Sequence, residues 1–82
     1  MIISKKIMEF ILDIYNQGGK ITRKTQVLFA YQYYAMTWHL RDNGIIKENG
    51  ITKDGQKIWE LTDKGVKVAE IFKELKKVLY GS

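Results

Sequence analysis

The segment YQYYAMTWHLRDNGII, residues 31–46, gathers the side chains of this chain best suited to touch a flat-faced, anionic partner. Gln32 carries an amide that donates and accepts at once, the pairing an adenine edge requires. Arg41 carries a forked donor that suits a guanine edge or a phosphate. Tyr31 and Tyr34 offer phenol hydroxyls for phosphate oxygens, and His39 offers a ring N–H for the same purpose. Ala35 has nothing to hydrogen-bond, but its size permits close backbone approach or contact with a thymine methyl. Trp38 is an unusual base reader; packing under a neighbouring element or against a partner comes first for it, and nucleic-acid contact second. Asp42 would repel phosphates and so belongs at the distal end of any contact.

Other chemistries find few candidates. Cysteine is absent, His39 is the sole histidine, and the two serines, Ser4 and Ser82, lie near the termini. With no paired carboxylates and no glycine-rich phosphate loop, an enzyme is not expected. A lone histidine without a second histidine or a cysteine implies no metal site, and the chain implies no cofactor or small-molecule site. No apolar run approaches the ~20 residues that a membrane span needs. The opening MIISKKIMEFILDIY lacks the charge-free centre and small-residue cleavage site of a signal peptide, so a cytoplasmic, nucleoid-associated protein is expected.

The net charge is +5 over 82 residues. Its placement is uneven: residues 20–57 hold Lys20, Arg23, Lys24, Arg41, Lys47, Lys53 and Lys57 against Asp42, Glu48 and Asp54. Four of the five excess charges therefore sit in the middle of the chain. Such a concentration favours an anionic partner over a merely solvated surface.

The elements that must position these groups follow from periodicity. Ile3, Ile7, Phe10, Ile11 and Ile14 recur at helical spacing and predict a first helix over about 3–16, stopped by Gly18-Gly19. KIT, residues 20–22, is a brief strand, and Thr22 caps a second helix over about 23–30 that buries Val27 and Leu28. A third helix, about 32–43, ends at Asn43-Gly44. IIKE (45–48) and KIWELT (57–62) then form a hairpin, with Asn49-Gly50 and Asp54-Gly55 as its turn dipeptides. Thr62 caps a last helix, about 63–80, with Asp63 against its dipole and Val68, Ile71, Phe72, Leu75, Val78 and Leu79 along one stripe. Glu70–Lys73 and Glu74–Lys77 pair on its outer face. The expected fold is α+β, one domain over 1–82, in the order helix-strand-helix-helix-strand-strand-helix. Two short helices followed by a hairpin define a winged helix-turn-helix.

Three fragments resemble a known family. HLRDNGII is similar to the end of the recognition helix and first wing strand of winged-helix transcription regulators. IWELTDKGVKVAEIF resembles their second wing strand and following helix, and GKITRKTQVLFA the first strand and second helix of small archaeal-type members. The likeness covers about residues 5–75 and departs at Thr37, where many members place an aliphatic residue. It implies a regulator of transcription that binds double-stranded DNA.

At 100° per residue, Tyr33, Met36, Thr37 and Leu40 share the core side of the third helix. Tyr31, Ala35, Trp38 and Asp42 share the opposite side, flanked by Tyr34 and Arg41 on one edge and His39 on the other. That outward face would enter the major groove, with the hairpin, about 45–62, on adjacent backbone or in the minor groove. Arg23 and Lys24, at the start of the second helix, and Lys47, Lys53 and Lys57, on the wing, take phosphate-positioning roles. One small module makes few base contacts, so a homodimer is expected, sealed by Ile3, Ile7, Leu75, Val78 and Leu79. The alternative is a protein-docking module that uses the aromatic face of the third helix.

Overall fold

A computed structural model describes residues 4–25 and 32–81. The first helix, α1 (Lys5–Asn16), starts where Ser4 Oγ accepts the Ile7 N–H at 3.2 Å. The cap sets this boundary two residues later than the apolar stripe alone suggests, and Ile3 lies outside the described residues. Phe10, Ile11, Leu12 and Ile14 are buried. Two glycines with positive φ, Gly18 and Gly19, turn the chain back, and the Gly19 N–H closes on the Ile14 carbonyl at 2.9 Å.

Strand β1 is only Lys20–Ile21. After it, Thr22 N–H donates to Thr25 Oγ1 at 2.8 Å and Thr25 N–H to the Thr22 carbonyl at 3.2 Å. Residues Arg23, Lys24 and Thr25 form a turn, and the Thr25 N–H also reaches Thr22 Oγ1 at 3.4 Å, the backbone bond that the sequence assigns to Thr22 as a cap. Each threonine hydroxyl thus accepts the other's backbone N–H, the reciprocal pattern of a capping box. The rest of the helix expected over about 23–30, with Gln26, Val27 and Leu28, lies outside the described residues.

Helix α2 (Tyr33–Asp42) buries Tyr33, Met36, Thr37 and Leu40, the four positions that its periodicity assigns to the core. Thr37 is accommodated because its hydroxyl donates to the Tyr34 carbonyl at 3.1 Å, so this buried hydroxyl is not stranded. At the end of α2, Asn43 Nδ2 donates to the His39 carbonyl at 2.8 Å, and Gly44 takes φ 72°.

Strands β2 (Ile46–Ile51) and β3 (Lys57–Leu61) pair antiparallel, and β1 adds to the free side of β3, giving the order β1-β3-β2. One expectation fails within the hairpin. Asn49-Gly50 is not a turn: β2 continues through it to Ile51, with a register shift between Glu48 and Ile51 and Gly50 at φ 90°. A bulge absorbs the extra residue, and the chain reverses only at Asp54-Gly55. There Thr52 N–H donates to the Gln56 carbonyl at 2.8 Å and Gly55 N–H to the Thr52 carbonyl at 3.0 Å.

Helix α3 (Asp63–Tyr80) is capped by Thr62 Oγ1, which accepts the Gly65 N–H at 3.0 Å. Gly81, in the left-handed region, ends it by donating to the Lys77 carbonyl at 2.8 Å. The pairs Glu70–Lys73 and Glu74–Lys77 do not form among the described residues. Such exposed pairs gain little against the entropy of two long side chains. The core lies between α1, the inner face of the sheet and the first half of α3; Ala69 and Phe72 are buried, and no residue of α3 beyond Phe72 is. No helix among the described residues is long and apolar enough to cross a membrane.

Candidate nucleic-acid interface

Tyr33, at the start of α2, anchors the surface that the sequence singles out. Its ring packs edge-on to Phe10, at 6.4 Å between centroids, and to Tyr34, at 5.4 Å. Tyr34 in turn lies 6.5 Å from Trp38. The four rings run as a chain from the core to the solvent. Tyr33 is 2 % exposed, while Tyr34 and Trp38 are 60 % and 55 % exposed. Burial pushes the Tyr33 phenol up to about 12, with Tyr34 adding to the rise and the Arg23 cation opposing it.

The exposed side of α2 is divided between two depressions. Gln32, Ala35 and His39 face the N-terminal end of α1, sharing a shallow groove with Ser4, Lys6 and Ile7. His39 Nε2 is buried there, with no hydrogen-bond partner among the described residues. Tyr34 and Trp38 face the wing across a cleft of about 310 Å³. Arg23, Gln56, Lys57 and Trp59 complete that cleft, together with Tyr33 and Thr37. The sequence assigns Trp59 no site role, since its period-2 alternation with Leu61 marks only a shared face of the strand. Gln56 carried no signal, because its role depends on the path of the hairpin tip.

The cations are unequally available. Arg41 Nε and Nη2 donate to Asp42 Oδ1 at 3.2 and 3.1 Å, so its fork is occupied by its own neighbour. Lys57 Nζ lies 3.1 Å from Glu48 Oε1 and 5.9 Å from the centre of the Trp59 ring. Lys24 ties down the wing: its ammonium pairs with Asp54, and its backbone N–H donates to Gln56 Oε1 at 3.2 Å. Hydrogen bonds from Lys24 and Thr52 hold the Asp54 carboxyl below the usual carboxylate range. Arg23, Lys47 and Lys53 have no carboxylate within ion-pair distance among the described residues.

The wing lysines do not all point one way. Residues opposite each other in an antiparallel pair share a face. Glu48 opposes Trp59, and Lys57 lies two residues from it, so these sit on the α2 side of the sheet. Lys47 opposes Glu60, which also opposes Lys20, so Lys47 belongs to the outer face. Lys53 is at the hairpin tip. Tyr31 lies outside the described residues.

No protein-family pattern matches this chain, and no curated protein is detectably similar in sequence. The fold does match solved structures. The organohalide-sensing transcriptional regulator RdhR-CbdbA1625 superposes with a TM-score of 0.82 in its ligand-free form and 0.81 in its form bound to 2,4-dichlorophenol. In both, 17 % of residues are identical, and the match covers 95 % of this chain but 49 % of that one, so the chain spans about half the length of the regulator it matches. This protein therefore has an α+β fold that a transcriptional regulator shares, with three described helices and a three-stranded antiparallel sheet consistent with a winged helix.

Proposed function

We propose that this protein is a sequence-specific regulator of transcription that binds double-stranded DNA, of the small archaeal-type winged-helix kind. Helix α2 lies in the major groove, and the hairpin rests on adjacent backbone or in the minor groove. The observation that carries this reading is the two-sidedness of α2. Tyr33, Met36, Thr37 and Leu40 are sunk in the core, while Gln32, Tyr34, Ala35, Trp38 and Arg41 stand in solvent beside a lysine-bearing hairpin. A helix so divided presents a rigid polar and aromatic ridge. Gln32 and Ala35 address base edges, and Arg41 does so once Asp42 releases it. Arg23, Lys24, Lys53 and Lys57, with Tyr31 and Tyr34, address phosphates, and His39, whose Nε2 is buried, joins them only through Nδ1. Lys47 reaches phosphate only if the backbone wraps past the edge strand β2.

The protein acts as a homodimer through α1 and the far half of α3. Leu75, Val78 and Leu79 are exposed in a single copy, Val78 at 74 % and Leu79 at 61 %. Monomers seldom leave such a stripe in water. Ile7 is partly buried against the core, and Ile3, which the sequence assigns to the same interface, lies outside the described residues. Two copies present two recognition helices to half-sites roughly 34 Å apart. Selection of sites from random duplex DNA at physiological salt tests the reading. A two-fold symmetric consensus is the expected result, and no enrichment would refute it.

A second reading, a protein-docking module, draws on the exposure of Tyr34 and Trp38, which are costly to leave in water and suited to an interface. Salt distinguishes the two. Duplex affinity falls steeply between about 50 and 200 mM salt, whereas an aromatic interface responds little.

A further inference from the structure

The cleft between α2 and the wing is built from more aromatic surface than a duplex can use. Its floor is Tyr33 and Trp59, exposed by only 2 % and 3 %, and its rim is Tyr34 and Trp38. A DNA backbone brings charge to such a place but no ring, because the bases of a duplex are stacked inside. We propose that this cleft binds a small, flat aromatic anion, and that occupation of the cleft and binding of duplex DNA exclude each other.

Size limits the ligand first. A volume of about 310 Å³ is at the lower end of small-molecule sites, which run from roughly 300 to 1,000 Å³. One or two fused rings fit. Shape follows from the walls: the rings of floor and rim give a flat guest faces and edges to pack against.

Charge fixes the rest. The Arg23 guanidinium lies 5.7 Å from the centre of the Tyr33 ring, over its face. It has no carboxylate within ion-pair reach among the described residues, so one positive charge in the cleft is uncompensated. Lys57 is already neutralised by Glu48 at 3.1 Å. A monoanion therefore balances the site, with its acidic group on the Arg23 fork. Gln56 adds a neutral donor. Its Oε1 accepts from the Lys24 N–H at 3.2 Å, and its Nε2 makes no hydrogen bond among the described residues. The Tyr33 hydroxyl, like any phenol, is protonated at neutral pH, so no second negative charge opposes the guest.

Binding of the anion stands on the cleft alone; the mutual exclusion rests on the DNA reading above, since Arg23, Tyr34 and Trp38 serve both partners. The test uses the intact chain. Both of its tryptophans, Trp38 and Trp59, line the cleft, so their two indole N–H signals in a nitrogen-15 correlation spectrum report on it directly. The probes are 2-naphthoate, its neutral counterpart 2-naphthalenemethanol, and the mononucleotide dTMP. The expected result is a saturable shift of both indole signals with 2-naphthoate. Loss of a charge-assisted hydrogen bond makes the alcohol, and the Arg23→Gln variant, roughly tenfold weaker. Trp38→Leu, a change at an exposed ring, weakens binding without disturbing the fold.

No saturable shift up to roughly 10 mM, beyond which affinity is too weak to be specific, would overturn the proposal. So would equal affinity for the alcohol. Tighter binding of dTMP than of 2-naphthoate would assign the cleft to an unstacked nucleotide instead. Saturating 2-naphthoate should then weaken duplex binding; unchanged duplex affinity would overturn the exclusion. A protein that binds 2-naphthoate but no duplex at all would overturn the DNA reading and leave the anion site standing.

Discussion

A Cβ placed on Gly65 would lie 2.1 Å from the carbonyl oxygen of Ile45. The first turn of α3 therefore touches the backbone where α2 gives way to β2. Around this contact the chain is fastened three more times. Thr62 N–H donates to the Ile45 carbonyl at 2.9 Å, Thr62 Oγ1 to the Gly44 carbonyl at 2.5 Å, and Lys64 Nζ to the Asn43 carbonyl at 2.8 Å. The run Thr62-Asp63-Lys64-Gly65 is thus a clamp on the corner that aims α2. Its likeness to winged-helix regulators has a structural cause and carries no information about a ligand.

Gly65→Ala should destabilise the protein despite improving helix propensity. Alanine gains about 0.8–1 kcal/mol over glycine inside a helix. The atom that it meets is backbone, which cannot swing aside, and overpacking of this kind costs about 1–3 kcal/mol. Thr62→Val, which removes the cap, should cost about 1–2 kcal/mol, whereas Thr62→Ser should cost little. Urea denaturation checks both, and a Gly65→Ala variant as stable as the parent would mean that the corner yields.

Salt dependence of duplex binding should show which cations are free. If Arg23, Lys47 and Lys53 alone neutralise phosphates, the log–log slope is about −2.7 per protomer; if Lys24, Arg41 and Lys57 also leave their carboxylates, it is about −5.4. Exposed ion pairs are worth at most about 1 kcal/mol, so a phosphate can displace them. Asp54→Asn frees Lys24 outright and should tighten binding. Lys24→Gln should make the slope shallower by about 0.9, and a slope that this second change leaves unaltered would place Lys24 off the DNA.

Alkali should unfold the protein partly through Tyr33. Its phenol is raised from 10.0 to about 12 in the folded state, mainly by burial. The raised value means that the unfolded chain loses this proton first. The stability contribution is therefore complete below pH 10 and is lost as pH rises from there towards 12. In an ultraviolet titration the Tyr33 phenol should ionise only together with unfolding. Tyr33→Phe should flatten stability against pH in that window.

Sedimentation should give the mass of a dimer at micromolar concentration. Val78→Glu and Leu79→Glu, on an exposed stretch of α3 that the monomer's core does not use, should give a folded monomer that binds duplex weakly. A monomeric parent would remove the α3 interface from the reading.

The residues of α2 illustrate what was legible in advance. Helical periodicity alone separates Tyr33, Met36, Thr37 and Leu40 from Tyr34, Ala35 and Trp38, because a 3.6-residue repeat ties sequence spacing to direction. Thr62 and Asp63 announce the start of α3 for an equally local reason: a cap is satisfied within its own turn. Asn49-Gly50 misled, since the same dipeptide serves a turn or a bulge, and only pairing with β3 decides between them.

What the sequence by itself determined about this protein is therefore whatever depends on neighbours a few residues apart: the three described helices, the two faces of α2, the Thr62 cap and the surplus of positive charge. Tertiary structure alone decided which charges are already spent, since Lys24 meets Asp54 and Lys57 meets Glu48 across the fold. It alone sent Lys47 to the outer face of the sheet and brought Arg23, Trp38 and Trp59 around one cleft. The physical reason is range. Periodicity and capping act over one or two turns of chain, whereas a cleft and its electrostatics arise where segments distant in sequence are packed together.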